Sequence, residues 1–369
     1  MNSLQFEIQL IALITAVACA LPGVFLVLRR MSLMSDAISH AILLGIVLAF
    51  FVTEDIASPL LIIAAAATGV LTVSLVELLN RTRLVKEDAS IGLVFPVLFS
   101  IGVILISRFA GNVHLDVDAV LLGELAFAPF NRLVLFGQDV GPKALYIMGS
   151  ILILNLIFLF LFYKELKLAT FDAGLAVALG FSPGLIHYGL MSVVSITAVG
   201  AFDAVGSILV VALMIAPPAT AYLLTDNLPR MIGLSALTGV LSAVSGYWLA
   251  HFLDASIAGS MASMAGVLFG LVFLLAPARG LVAIARRRSR QRIEFARKAL
   301  TIHLFNHEDS PEAAEESQVA HLTLHLRWQP DFADQIVRSA QRHGLVQRVN
   351  GHLVLTEDGR LLAQEAIVG

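Results

Sequence analysis

An acid and an imidazole, Asp36 and His40, interrupt the apolar string MSLMSDAISHAILLG at residues 31–45. Four positions is about one helical turn, so the two side chains share one helix face. Ionisable groups inside a membrane helix are costly and as a rule face a cavity or a pathway. Carboxylate and imidazole together suit a divalent transition metal. The same residues also suit a plain helix start, with Ser35 or Asp36 as cap and His40 bonded to a neighbouring carbonyl. Two further acids sit in apolar surroundings. Asp203 lies in the middle of HYGLMSVVSITAVGAFDAVGSILVVALMIAPPATAYLLT, between Gly200 and Gly206, with Pro217–Pro218 beyond. Gly and Pro interruptions around a buried acid mark substrate sites and gates; an extracellular hairpin with Asp203 at its tip is the other reading. Glu124 lies in HLDVDAVLLGELAFAPF with His114, Asp116 and Asp118. The two aspartates fit a solvated loop. Glu124 sits in a run apolar enough to dip back into a bundle, which is tolerated only where protein or water covers the backbone.

A membrane bundle must position these groups. Of 369 residues, 58% are hydrophobic and 14% charged, and the mean hydropathy is +0.87. That composition excludes a soluble domain of this length and predicts a polytopic membrane protein. The net charge of −3 discriminates little, and a single cysteine, Cys19, excludes a disulfide framework and a cysteine-based zinc site. The first apolar stretch lacks a basic n-region and runs to Leu28 before Arg29–Arg30, so it reads as a span rather than a secretory leader. Spans are expected at about 8–28, 33–52, 58–79, 90–107, 144–163, 186–202, 206–225, 231–252 and 257–277. A broken helix or re-entrant pair within 186–225 would reduce that count. Arg29–Arg30, Arg81, Arg83, Lys86, Lys164, Lys167, Arg230 and Arg286–Arg288 all fall on one side by this reading, which the positive-inside rule makes cytoplasmic. An external N-terminus and a cytoplasmic C-terminus need an odd number of spans, and nine fits.

Two cytoplasmic loops carry organised sequence: RTRLVKEDASIGLVF at 81–95 and KELKLATFDAGLAVALGFSPGLIH at 164–187. The second predicts a short amphipathic helix with Leu175, Leu179 and Phe181 on its apolar face and Gly180 and Pro183 ending it. Such a helix either lies on the membrane surface or docks into a groove on a partner.

The strings MSLMSDAISHAILLG, KEDASIGLVF, KELKLATFDAGLAVALGFSP and DAVGSILVVALMIAPPATAYLL resemble the permeases of bacterial manganese/zinc/iron ABC importers, collinearly over roughly residues 5–280. The resemblance implies an all-α polytopic fold of about 8–9 transmembrane helices in the bacterial inner membrane. It implies a homo- or heterodimer of permeases, a cytoplasmic ABC ATPase dimer, and an extracytoplasmic metal-binding protein that delivers the ion. By this likeness Asp36 and His40 match the metal path, which Asp203 and Glu124 are expected to join. Loop 164–184 matches the coupling helix, with Phe171, Asp172, Leu175, Leu179 and Gly180 against the ATPase. The acid of the DAVG motif, Asp203, is more like the manganese/iron branch than the zinc branch. The metal is cargo, and no permanent cofactor is expected. The residues agree on one point independently: no G-x-x-x-x-G-K-[ST] occurs, so the chain has no P-loop and is not the ATP-hydrolysing enzyme.

Composition shifts after the last span. Residues 279–369 hold 13 of the 24 Lys/Arg and six of the ten histidines, which predicts a soluble tail. A basic linker helix is expected over 281–305, its first half along the anionic membrane face. A polar hinge, NHEDSPEAAEES, follows at 306–317. Helices are expected over about 318–327 and 331–343, then a type I′ hairpin at Asn350-Gly351 and a final helix capped by Thr356. This order resembles the winged helix of iron-dependent repressors, so a small α+β cytoplasmic domain is expected over 306–369. No basic phosphate footprint is evident and nucleic acid is not expected as a partner. His303 and His307 are four apart, as are His321 and His325. The pairs can build a regulatory metal site with Glu308 or Asp309, or they are ordinary surface histidines. Two other functions fit the same acids and imidazole: a proton-coupled metal carrier working alone, and a membrane-tethered metal sensor.

Overall fold

The computed structural model describes residues 3–54, 58–109, 125–135, 138–311 and 313–368. The chain divides into two compact units, Met1–Gly280 and Leu281–Gly369.

Among the described residues the first unit has nine helices long and apolar enough to cross a membrane. They are α1 (Ser3–Leu28), α2 (Ser32–Thr53), α3 (Pro59–Arg81) and α4 (Glu87–Phe109), then α5 (Lys143–Leu161), α8 (Pro183–Val205), α9 (Ser207–Leu224), α10 (Leu228–Leu253) and α11 (Ile257–Leu275). Two short helices, α6 (Tyr163–Phe171) and α7 (Ala173–Ala178), fill the connection between α5 and α8. Before α5, β1 (Arg132–Leu135) and β2 (Gln138–Pro142) form an antiparallel hairpin that the sequence does not announce. Arg132 ties it down, pairing with Glu7 at 3.1 Å and Asp139 at 2.5 Å.

Caps set several boundaries. Ser58 accepts from Leu60 N with Pro59 at the first helical position, and Asn227 accepts from Arg230 N at 3.1 Å. The open question at 186–225 resolves into two helices joined by Gly206 alone, at φ 79°, ψ 162°. That backbone region is essentially closed to residues with a Cβ. Pro183 starts α8 rather than ending the helix before it.

The buried core runs through α1, α2, α8 and α9. Apolar burial gives it no water-derived drive inside lipid, so close backbone approach and polar bridges hold it. Pro218 lacks the N–H that would satisfy the Met214 carbonyl one turn earlier. Gly23 of α1 lies against that carbonyl, and a Cβ there would collide with it. Asn155 of α5 donates to Ala18 O at 2.9 Å and to Thr197 Oγ1 at 3.0 Å. Ser195 donates to Ala66 O at 3.0 Å.

The second unit consists of α12 (Leu281–His307), α13 (Ala313–Glu316), α14 (Val319–His325), α15 (Pro330–Arg342), the hairpin β3 (Val346–Val349) and β4 (His352–Leu355), and α16 (Glu357–Val368). Asn350 and Gly351 take φ 51° and 88°, the left-handed pair a type I′ turn requires. Thr356 Oγ1 caps α16 by accepting from Gly359 N at 3.1 Å. The helix expected as a linker over 281–305 runs on to His307 and enters the core from Ala296, with Leu300 and Leu304 against Leu322, Ile336, Val337 and Leu353. Nor is 306–317 a free hinge. Glu308 is clamped by Arg360, and Ser317 O accepts from Leu353 N at 2.9 Å.

Candidate functional site

Asp36 and His40 lie on successive turns of α2, close to its N-terminal end. His40 Nε2 is 3.4 Å from Asp36 Oδ1, and both side chains are part-exposed, at 30% and 42%. The helix-start reading fails locally, because residue 31 provides no side-chain cap and Ser35 is turned elsewhere. Ser35 Oγ donates to Met214 Sδ at 3.1 Å, holding α2 to the proline-interrupted stretch of α9. The His40 ring lies between two aromatic rings of α4: Phe95 stacked and Phe99 edge-on, each with its centroid 5.9 Å away. The aromatic pair fixes the ring plane and leaves the Nε2 edge beside the carboxylate. Two donors of different hardness thus meet on one face.

Asp203 is not grouped with them. Asp203 is in the last turn of α8, exposed rather than buried, three residues before the Gly206 link. Among the described residues no group of three or more metal-ligating side chains forms around Asp36 and His40. Glu124, with His114, Asp116 and Asp118, lies outside the described residues. Next to that stretch, Leu125, Tyr247, His251 and Asp254 line a cavity of about 330 Å³. His251 and Asp254 carried no sequence signal, being single polar residues at the end of an apolar run.

The α6–α7 connection is built as a presented surface. Asp172 takes the N-cap of α7, its Oδ1 accepting from Leu175 N at 2.8 Å. Gly180 ends the turn at φ 83°. The side chains of Phe171, Leu175, Val177 and Leu179 are exposed at 60%, 47%, 61% and 58%. Four exposed large apolar groups on the nine residues 171–179 are more than a solvated loop carries. Asp172 and Gly180 therefore shape this surface, and Phe171, Leu175 and Leu179 form it. Arg29 Nε anchors it by donating to Thr170 Oγ1 at 3.1 Å.

In the second unit, His303, His307 and His325 converge with Glu316. One ligand atom from each lies within 4.8 Å of all the others. Glu316 is 3% exposed. Its Oε2 is 3.2 Å from His303 Nε2, and its Oε1 is 3.3 Å from His321 Nε2 and 3.5 Å from His325 Nε2. Burial pushes the His303 imidazolium below its ordinary pKa, which favours the neutral ring. The carboxylate is not the one expected. Glu308 is engaged by Arg360, whose guanidinium holds it well below the usual carboxylate range. Asp309 is not in the cluster either. Glu316 was hidden in the acidic run AAEES, where nothing distinguishes one glutamate from the next.

Residues 2–276 match the ABC 3 transport family. The chain is 50% identical over 361 residues to the zinc transport system membrane protein TroD of Treponema pallidum, a match covering 98% of each. It is 50% identical over 281 residues to the manganese transport system membrane protein MntD of Bacillus subtilis, covering 76% of this chain and 95% of that one. Among solved structures it is similar to PsaBC from Streptococcus pneumoniae in complex with Fab, with a TM-score of 0.63 and 28% identity over 76% of this chain and 94% of that one.

Proposed function

This chain belongs to the ABC 3 transport family, so it is a membrane permease and not an enzyme, and we propose that it carries a divalent transition metal, manganese or zinc, with ferrous iron also suited. The observation that carries the reading is the Asp36–His40 pair at 3.4 Å in a span, with the His40 ring packed against Phe95 and Phe99. Its mixed donors accept each of these ions. The full-length relative is named for zinc and the shorter one for manganese. Asp203 and Glu124 are assigned to the same path as later or outer contacts.

The motor is a separate pair of cytoplasmic ATPase subunits that dock on the α6–α7 surface. The exposed Phe171, Leu175 and Leu179 support this, as does the absence of a P-loop. A lone proton-coupled carrier has no use for such a surface. An external metal-binding protein delivers the ion, and a second permease subunit completes the path; among the described residues no third metal-ligating side chain groups with Asp36 and His40. Nine spans among the described residues and the basic connections support an N-terminus outside a bacterial inner membrane and a C-terminal unit on its cytoplasmic side. That unit is winged-helix-like, a reading supported by the order of α14, α15, the β3–β4 hairpin and α16. It is an accessory: 281 residues use up 95% of MntD, leaving no room there for a unit of this size.

The test is reconstitution of the chain with its ATPase and binding protein in proteoliposomes. ATP-dependent entry of radioactive manganese or zinc is expected. Entry that proceeds without ATPase and follows a proton gradient would replace this reading with the carrier.

A further inference from the structure

We propose that the C-terminal unit holds a site for one divalent transition-metal ion, ligated by His303 and His307 of α12, Glu316 of α13 and His325 of α14. The four ligand atoms already lie within 4.8 Å of one another. Tetrahedral zinc places its nitrogen and oxygen ligands at about 2.0–2.1 Å, which brings them roughly 3.3 Å apart. Side-chain rotation of about an ångström closes the difference.

The apo arrangement is itself unfavourable, and that is the case against ordinary surface histidines. Glu316 is 3% exposed, yet its Oε2 has no hydrogen-bond partner. No Lys or Arg forms an ion pair with it among the described residues, where its charge partners are the imidazoles of His303, His321 and His325. A buried carboxylate without satisfied partners costs several kcal/mol, a deficit that a bound cation removes. His321 lies outside the four. With Nε2 at 3.3 Å from Glu316 Oε1, it is placed to hydrogen-bond the ligating carboxylate and orient it. A cavity of about 330 Å³ lined by His307, Glu316, Ser317 and His352 gives the ion a way in.

Three imidazoles and one carboxylate select zinc over manganese, following both ligand softness and the Irving–Williams order. The ligands come from three helices joined by short connections. Occupancy therefore staples α12, α13 and α14 together, and the unit is stiffer and more stable with metal than without. Where the ion is also the cargo, this makes the unit a gauge of metal already delivered. That last step rests on the transport reading above; the site itself does not.

The experiment is equilibrium binding of Zn²⁺, and of Co²⁺ as an absorbing probe, to the purified full-length chain. It is run in an Asp36→Asn/His40→Ala background so that the membrane pair does not contribute. One equivalent is expected to bind, with the intense visible absorption of four-coordinate Co²⁺ and with weaker binding of Mn²⁺. Adding His307→Ala and His325→Ala should remove that equivalent. The loss should exceed the roughly 10–100-fold that losing an outer partner costs a metal site. Those two side chains are half-buried and exposed, so the core is spared; His303 and Glu316 are buried and are left in place. Unchanged stoichiometry and affinity after the double substitution would overturn the site. Loss of zinc binding on adding the two tail substitutions, alongside intact uptake by a His307→Ala/His325→Ala protein that keeps Asp36 and His40, supports the site and leaves transport standing. Intact tail binding with no uptake in any form of the protein would sink the transport reading and spare the site.

Discussion

Arg29 Nε donates to Thr170 Oγ1 at 3.1 Å across 141 positions of sequence. The bond fastens the corner between α1 and α2 to the connection that presents Phe171, Leu175 and Leu179. Asp36 lies two turns beyond that corner, so the surface proposed for the ATPase and the pair proposed for the metal share one attachment. Arg29→Ala or Thr170→Val should lower metal moved per ATP hydrolysed while leaving hydrolysis itself in place. Parallel measurement of uptake and phosphate release checks this; an unchanged ratio in both variants rules the attachment out of coupling.

Asp36→Asn and His40→Ala should each cut uptake by at least about 10–100-fold, the range seen when a metal site loses a supporting group. Protein yield and ATPase binding should not change. Phe95→Leu should give an intermediate loss, because the ring it stacks on keeps its donor but not its fixed plane. Uptake at normal rate in both Asp36→Asn and His40→Ala removes the pair from the path.

Replacing Leu175 and Leu179 with Asp should release the ATPase on purification. Both side chains are exposed, at 47% and 58%, so the spans do not need them. Co-purification of a stoichiometric ATPase with the double variant would contradict the docking surface.

Gly206→Ala should destabilise the bundle. At φ 79°, ψ 162° a Cβ carries a strain of about 1–3 kcal/mol, and the single-residue link has no neighbour to absorb it. A lowered unfolding temperature in detergent is the readout; equal thermal stability would mean that α8 and α9 can rejoin by another route.

Removal of residues from Leu281 onward should leave uptake measurable, because the second unit has its own core. A truncation after Arg292, by contrast, would strand the apolar face of α12 that starts at Ala296. Loss of all uptake in the Leu281 truncation would show that the tail is part of the transport machinery.

Much of this architecture is written locally. Each span is an apolar run of about twenty residues ended by basic residues or by Gly, Pro or a cap, so the expected boundaries fall within a few residues of those found. The Asn350-Gly351 turn and the Thr356 cap are likewise decided by two or three adjacent residues. What stayed hidden depends on residues far apart. Phe95 and Phe99 read as ordinary span residues until α4 lies against α2. Glu316 acquires meaning only when α13 turns it toward α12 and α14. Asp203 sits in an apolar run that suggests burial, but its exposure is set by which face of the last turn of α8 its neighbours cover.

Glu7 and Arg132 have a counterpart in Arg29 and Thr170. The first pair fastens the start of α1 to the β1–β2 hairpin and the second fastens its far end to the α6–α7 connection. Glu7 and Arg29 are 22 positions apart along it, about 33 Å of rod. A strut pinned at both ends carries axial load. Any push transmitted along it from the hairpin to the connection is, by linkage, reciprocal: it acts with the same factor from the connection back to the hairpin.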